Sequence, residues 1–188
     1  MFKDQLFVSI RFTLVTGILL GIAYPLAVTG FAHVTMRDKA DGQLISQNGR
    51  VIGSRILAQS FTSDKYFHPR PSAAGNGYDA TASGGSNFAQ SNQKLVTRIQ
   101  TDAAALSGKG GDPVPIDLVT TSGSGLDPDI TPAAALYQVA RVAKARGLAN
   151  DDVHKMVDEH ILDRQFGVLG EARVNVLELN LALDQIHK

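Results

Sequence analysis

The first long pattern in the chain is apolar without interruption. From Phe12 to Val34 the sequence reads FTLVTGILLGIAYPLAVTGFAHV, with no Asp, Glu, Lys or Arg. About 20 such residues, at about 1.5 Å of helix rise each, cross the hydrocarbon core of a bilayer. The run predicts a transmembrane helix over 12–34, preceded by a short N-terminal segment, 1–11. Phe12, Leu14, Gly17, Leu20, Gly21, Tyr24, Pro25, Val28 and Phe31 are its anchor residues. Pro25 is tolerated in a membrane helix and predicts a kink. Two other readings fit less well. A core helix of a soluble domain is rarely this long without a charge. A cleavable signal segment offers small residues at Gly30 and Ala32, but its apolar stretch is usually shorter, about 7 to 15 residues.

Beyond residue 35 the pattern becomes mixed. Leu44-Ile45 and Val51-Ile52 flank Asn48-Gly49, the strongest short hairpin signal, because a type I′ turn needs positive φ twice. Arg55 to Phe61 is a further strand candidate, followed by a polar region, Thr62 to Asn92, rich in Gly, Pro, Ser and Asn. Ser91 is placed to cap a helix reaching Leu106, with Leu95, Ile99 and Leu106 on one face and Gly108 as its stop. Gly108 to Pro115 reads as a loop and Ile116 to Val119 as a short strand. Thr131-Pro132 opens the next helix, since Thr caps and Pro suits the first helical position. Leu136, Val139 and Val142 mark its apolar face, and Gly147 closes it. Asn150 or Asp151 caps another helix through Val153, Met156, Val157 and Ile161. Asn175 to Glu178 resembles a capping box, and Val176, Leu179, Leu183 and Ile186 repeat at helical spacing. The expected fold class is mixed α/β: a single N-terminal transmembrane helix followed by one mixed α+β domain over 35–188. No internal repeat is present.

Composition narrows the function classes. The 188 residues carry a formal net charge of zero, so no basic footprint for nucleic acid stands out. Cysteine is absent, which removes disulfides, thiolate nucleophiles and Cys-based zinc sites. Lys3 and Arg11 precede the apolar run, and Arg37 and Lys39 follow it beside Asp38 and Asp41. The positive-inside rule nearly ties, leaning only slightly to a cytoplasmic N-terminus.

Candidate chemistry is thin. The stretch ATASGGSNFAQSN, 80–92, has no lysine after its glycines, and Ser107-Gly108-Lys109-Gly110 lacks the upstream glycine and the following hydroxyl of a P-loop. GGSNF around Ser86 and SGSGL around Ser124 each fail one flank of a nucleophile elbow, and the spacing of His68, His154 and His160 supports neither. His154 and Asp158 lie four apart, which is ordinary for a solvated helix face. Asp127-Pro-Asp129 lacks the rest of a calcium loop and suits turn and cap chemistry before Thr131. Gln138, Arg141 and Lys144 share one side of the Thr131 helix. They form either its solvent face or a contact for a partner or nucleotide phosphate, with Gln138 and Arg141 as the candidate contact residues.

Three blocks carry a resemblance. They are FTSDKYFHPRPSA (61–73) continuing into ASGGSN (82–87), LVTTSGSGLDPDITPAAALYQVARVAKARGL (118–148) and VNVLELNLALD (174–184). In order and spacing, with the single span, they resemble the KdpC family, accessory subunits of the potassium-transporting P-type ATPase. The resemblance implies a single-pass bacterial inner-membrane protein with an extracytoplasmic C-terminal domain. Its implied partners are a potassium-channel-like subunit, an ATP-hydrolysing P-type subunit and a small stabilising subunit, within the lipid bilayer. It implies a non-catalytic role: assisting assembly and acting as a catalytic chaperone that raises the ATP affinity of the pump subunit. It implies no cofactor of its own, ATP entering only with the pump subunit. Cytoplasmic ATP cannot touch an extracytoplasmic domain, so any such effect passes through partner subunits. The competing class is a membrane-anchored extracytoplasmic hydrolase or binding domain unrelated to transport. The stretch 80–92 belongs to the first block and reads as an ordered, irregular segment leading into the next helix.

Overall fold

The computed structural model describes residues 2–107 and 113–186. The chain divides into two compact units, Met1–Leu44 and Ile45–Lys188. In the first, α1 (Phe2–Ile18), a π-helical stretch (Leu19–Ala23) and α2 (Tyr24–Thr35) run on as one apolar helix of 34 residues. Among the described residues it is the one helix long and apolar enough to cross a membrane. At about 1.5 Å per residue it reaches about 50 Å, beyond a hydrocarbon core of about 30 Å. Phe12, Leu14, Leu20, Tyr24, Val28 and Phe31 are all exposed along it, as an anchor in lipid requires. The irregularity expected at Pro25 takes the form of the wider turn before it. Tyr24 N–H donates to Leu19 carbonyl, five residues back. Pro25 has no N–H, and its ring crowds the carbonyl four residues earlier, so the local ladder opens. A short helix, α3 (Arg37–Ala40), follows.

The second unit is mixed α and β. β1 (Leu44–Gln47) and β2 (Arg50–Ser54) form a hairpin with Asn48 at φ 52° and Gly49 at φ 75°, the positive pair expected of a type I′ turn. The strand expected over 55–61 does not form. Ser54 Oγ accepts from Ile56 N–H and turns the chain, after which Ala58 N–H donates to Leu126 carbonyl. Asn92, not Ser91, caps α4 (Gln93–Leu106), its side chain accepting from Lys94 N–H. The helix stop expected at Gly108, and the loop's first residues, lie outside the described residues. Ile116–Leu118 is a 3₁₀ turn rather than a strand. Asp117 is spent accepting from Thr131 N–H, and Thr120 Oγ1 donates back to Ile116 carbonyl, so the segment curls.

β3 (Asp129–Ile130), β4 (Ile161–Leu162) and β5 (Arg173–Asn175) make a small antiparallel sheet in the order β3-β5-β4, with Ile130 opposite Val174 and Val174 opposite Ile161. Around it pack α5 (Pro132–Arg146), α6 (Asn150–Glu159) and α7 (Val176–Gln185). Thr131 caps α5 through Oγ1 to Ala134 N–H, and Gly147 ends it at φ 70°. α6 begins one residue earlier than a cap at Asn150 would allow, with Ala149 as N-cap and no side-chain bond. Asn175 caps α7, but Glu178 does not close the box. Its carboxylate pairs with Arg55 at 2.7 Å instead. The core joins Val139 and Val142 of α5, Val153 and Val157 of α6, Val174 of β5 and Leu179 and Leu183 of α7 around Phe67. Each such side chain contributes about 1.5–3 kcal/mol on burial. Ile186, expected on the apolar face of α7, is 44% exposed at its end.

Candidate functional site

Phe67 sits at the centre of the core, although its segment has no regular structure. An extended segment inside a core must satisfy its backbone groups somehow, because an unpaired buried N–H or C=O costs about 1–3 kcal/mol. Here side-chain amides replace a sheet. Asn180 of α7 accepts from Phe67 N–H at 2.8 Å and donates to Phe67 carbonyl at 2.9 Å. Gln138 of α5 does the same for His68, at 2.8 and 3.1 Å. A planar amide presents one acceptor and two donors, so each can read both edges of one residue.

Two arginines complete the clamp. Arg141 Nη1 donates to Asp64 and Tyr66 carbonyls, and its Nη2 to Gln138 Oε1 at 2.7 Å. Arg146 lies over the Tyr66 ring, 4.8 Å from its centre, while Nη2 pairs with Asp184 at 2.8 Å and Nε donates to Lys65 carbonyl. Tyr66 hydroxyl also reaches Asp184. Of the solvent-face and contact readings for Gln138, Arg141 and Lys144, the solvent face holds only for Lys144. Gln138 is 4% exposed and Arg141 half-buried, because segment 64–68 covers that side of α5. Helical spacing could not show this, since the covering residues lie some 70 positions away in sequence.

The same segment continues into a second knot. Arg70 bonds to Asp127, Thr120 and Thr121. Ser72 Oγ donates to Gly125 carbonyl at 2.6 Å and accepts from Ala74 and Tyr78 N–H. Gly84 N–H and Ser83 Oγ both donate to Ser124 carbonyl, at 2.8 and 3.0 Å. The glycine-serine runs 82–87 and 122–125 thus lie against each other, with the first as an irregular, hydrogen-bonded segment. Asp127 does the turn chemistry expected of it, accepting from Asp129 N–H, whereas the Asp129 carboxylate meets Asn175 and Arg173 instead.

Beside the clamp is a cleft of about 840 Å³ between α4, α5 and 60–78. Phe61, Leu106, Leu136 and Tyr137 give it apolar walls, and His68, Asp102 and Arg141 bring charge or potential charge. Its volume lies within the range of small-molecule sites, about 300–1,000 Å³. His68 Nε2 faces Ser63 carbonyl at 3.1 Å rather than a hydroxyl, and Ser124 Oγ accepts from Leu126 N–H. His154 and Asp158 meet at 3.0 Å on the exposed side of α6.

Burial, with Arg141 beside it, lowers the His68 pKa below the usual 6.5. The folded state therefore binds fewer protons than the unfolded state just below that value. The neutral imidazole's contribution is present above pH 6.5 and is lost as pH falls toward the folded pKa. Asp129 has the opposite sign: burial raises its carboxyl despite Asn175 and Arg173, so stability rises as pH falls through its window. His68→Gln is expected to flatten the loss of stability as pH falls below about 6.5, measured by urea unfolding of the full chain in detergent. An unchanged slope would show that His68 makes no such contribution.

A family model described as K+-transporting ATPase, c chain (KdpC) matches residues 6–185. The chain is 56% identical over 183 residues to the potassium-transporting ATPase KdpC subunit of Koribacter versatilis, covering 97% of this chain and 95% of that protein. It is 52% identical over 184 residues to the protein of the same name from Acidobacterium capsulatum, covering 98% and 100%. The corresponding protein of Rhodospirillum rubrum is 55% identical over 172 residues, 89% of each chain.

Proposed function

The chain belongs to the KdpC family of the K+-transporting ATPase, and from that premise we propose that it is a non-catalytic, membrane-anchored subunit of an ATP-driven potassium importer. Its helix Phe2–Thr35 anchors it, and its domain lies on the extracytoplasmic face. Its partners are the potassium-channel-like subunit, the ATP-hydrolysing P-type subunit and a small stabilising subunit. It assists their assembly and raises the ATP affinity of the pump subunit through the membrane subunits, a coupling typically worth about 1–3 kcal/mol.

One observation carries the non-catalytic reading. Several polar side chains of the signature blocks are spent on the chain's own backbone. Gln138 accepts from His68 N–H and Arg141 Nη2 and donates to His68 and Ala134 carbonyls, which uses its whole hydrogen-bonding capacity. In this reading Gln138 and Arg141 act by holding segment 64–68 in the shape a partner meets. The cleft beside them favours the competing class, a ligand-binding domain.

Affinity purification of the tagged full chain from membranes separates the two readings, since recovery of a P-type ATPase subunit is expected only of the first. Topology has its own test. Ser107 is exposed and the chain has no cysteine, so Ser107→Cys gives a single label site. A membrane-impermeant maleimide is expected to label it in cells with only the outer membrane permeabilised. Labelling that requires rupture of the inner membrane would put the domain in the cytoplasm and reopen direct contact with ATP.

A further inference from the structure

The chain holds two Asn-Gly pairs, Asn48-Gly49 and Asn76-Gly77, and the fold treats them differently. In such a pair the glycine nitrogen can attack the carbonyl carbon of the asparagine side chain. A new C–N bond closes a succinimide ring and ammonia leaves. Water then opens the ring to aspartate or isoaspartate, so no oxidant or enzyme is needed. Glycine suits the step because it has no Cβ to crowd its nitrogen and its backbone rotates freely. Reaction therefore requires an exposed amide, a glycine N–H free of a hydrogen bond, and a backbone that can leave its folded geometry.

Asn48-Gly49 meets all three conditions. Both residues are exposed at the tip of the β1–β2 hairpin, and Gly49 N–H has no acceptor among the described residues. The hairpin is a two-stranded sheet with no third strand, and such a pair is marginally stable alone. Its one buried residue is Ser54, at the base, where Gln59 Nε2 also donates to Ile52 carbonyl. Opening at the tip therefore breaks little. Asn76-Gly77 is equally exposed but held. Gly77 N–H donates to Ala74 carbonyl at 2.8 Å, and Ala74 is fully buried. Ser72 Oγ accepts from Ala74 and Tyr78 N–H and donates to Gly125 carbonyl, which ties both sides of the pair to the domain. Asp41-Gly42 fails on chemistry, because a carboxylate is a poor electrophile, and Asp41 is met by Arg37 and His33.

We propose that Asn48 is a site of spontaneous deamidation in the folded protein, with isoaspartate as a product. Isoaspartate routes the main chain through the former side chain and so inserts an extra backbone atom. A two-residue turn between paired strands has no room for it, since loop length sets the turn type and the register. The new carboxylate also adds a negative charge at the tip. The hairpin, the first sheet after α3, then loses its pairing while the core around Phe67 stays intact. This chemistry is independent of the chain's role as a subunit.

The test ages the purified full chain, in detergent, in a mildly alkaline buffer made with heavy-oxygen water. Mass spectrometry follows the peptides that contain Asn48 and Asn76, and methylation by a protein isoaspartate methyltransferase marks the isoaspartate. In the folded chain Asn48 is expected to react about tenfold faster than Asn76 or more, because a held site reacts only through its open population. In urea the two rates are expected to converge, since both pairs are then unstructured. Hydrogen exchange is expected to show β1 and β2 losing protection as the wild-type chain ages. Asn48→Gly has no amide to lose, suits the positive φ, and is expected to keep that protection. Equal rates at Asn48 and Asn76 in the folded chain would overturn the proposal. So would the absence of isoaspartate at position 48 in a folded chain whose urea-unfolded form acquires it. Isoaspartate there with the hairpin's protection unchanged would overturn the loss of pairing.

Discussion

Replacing Asn180 by leucine is expected to destabilise the C-terminal domain by about 2–5 kcal/mol, a large fraction of a typical domain's stability. Asn180 is 1% exposed, and its amide is the partner of both backbone groups of Phe67. Leucine matches its size but leaves one buried N–H and one buried C=O unpaired, at about 1–3 kcal/mol each. Asn180→Asp makes a sharper comparison. Its carboxylate still accepts from Phe67 N–H but has no donor for Phe67 carbonyl, and its charge is buried. Both variants are expected to lower the thermal midpoint by on the order of 10 °C, as read by calorimetry or circular dichroism. A drop under about 2 °C for both would mean that the clamp on Phe67 is not what holds that segment.

Gly125→Ala is expected to cost about 3 kcal/mol or more, while Gly123→Ala, two residues away, stays within about 0.5 kcal/mol. Gly125 sits at φ 67°, where an L side chain is strained. A Cβ there would lie 2.6 Å from Gly84 carbonyl oxygen and 2.7 Å from Ala74 nitrogen, both backbone atoms. Either the turn or the facing glycine-serine run must move, and Ser72 then loses its 2.6 Å bond to Gly125 carbonyl. A Cβ at Gly123 meets nothing within 4 Å. Urea unfolding of the two variants reads the difference directly. Equal stabilities would remove the argument that the two runs depend on close backbone approach.

What the sequence made legible was local. The long apolar helix follows from composition alone, and Asn48-Gly49, Thr131-Pro132 and Asn175 each announce a turn or cap within a few residues. The family resemblance covered 61–73 with 82–87, 118–148 and 174–184, and the structure brings parts of all three blocks together around Phe67 and Gly125. What stayed hidden depends on distant partners. The apolar residues of 55–61 looked like a strand, yet Ala58 finds its hydrogen bond at Leu126. Gln138 and Arg141 lie where a helix usually meets water, and only the folded segment 64–68 shows what covers them. Asn180 carried no signal, being a polar residue within an apolar repeat. The positive φ of Phe166, 55°, carried no signal, because Phe-Gly, unlike Asn-Gly, does not announce such a turn.

The central claim is that this chain supports potassium-stimulated ATP hydrolysis without carrying out chemistry itself. The most direct test measures K+-stimulated ATPase activity in membranes containing the other subunits, with this chain present, absent, or carrying Ser86→Ala, Ser124→Ala and His68→Ala together. Activity is expected to fall to background without the chain, and the triple variant, once shown to assemble, to stay within about tenfold of wild type. Loss of a nucleophile or its base typically costs about 10⁴ to 10⁶ in rate. A loss of that size in an assembled complex, or full activity with the chain absent, would contradict it.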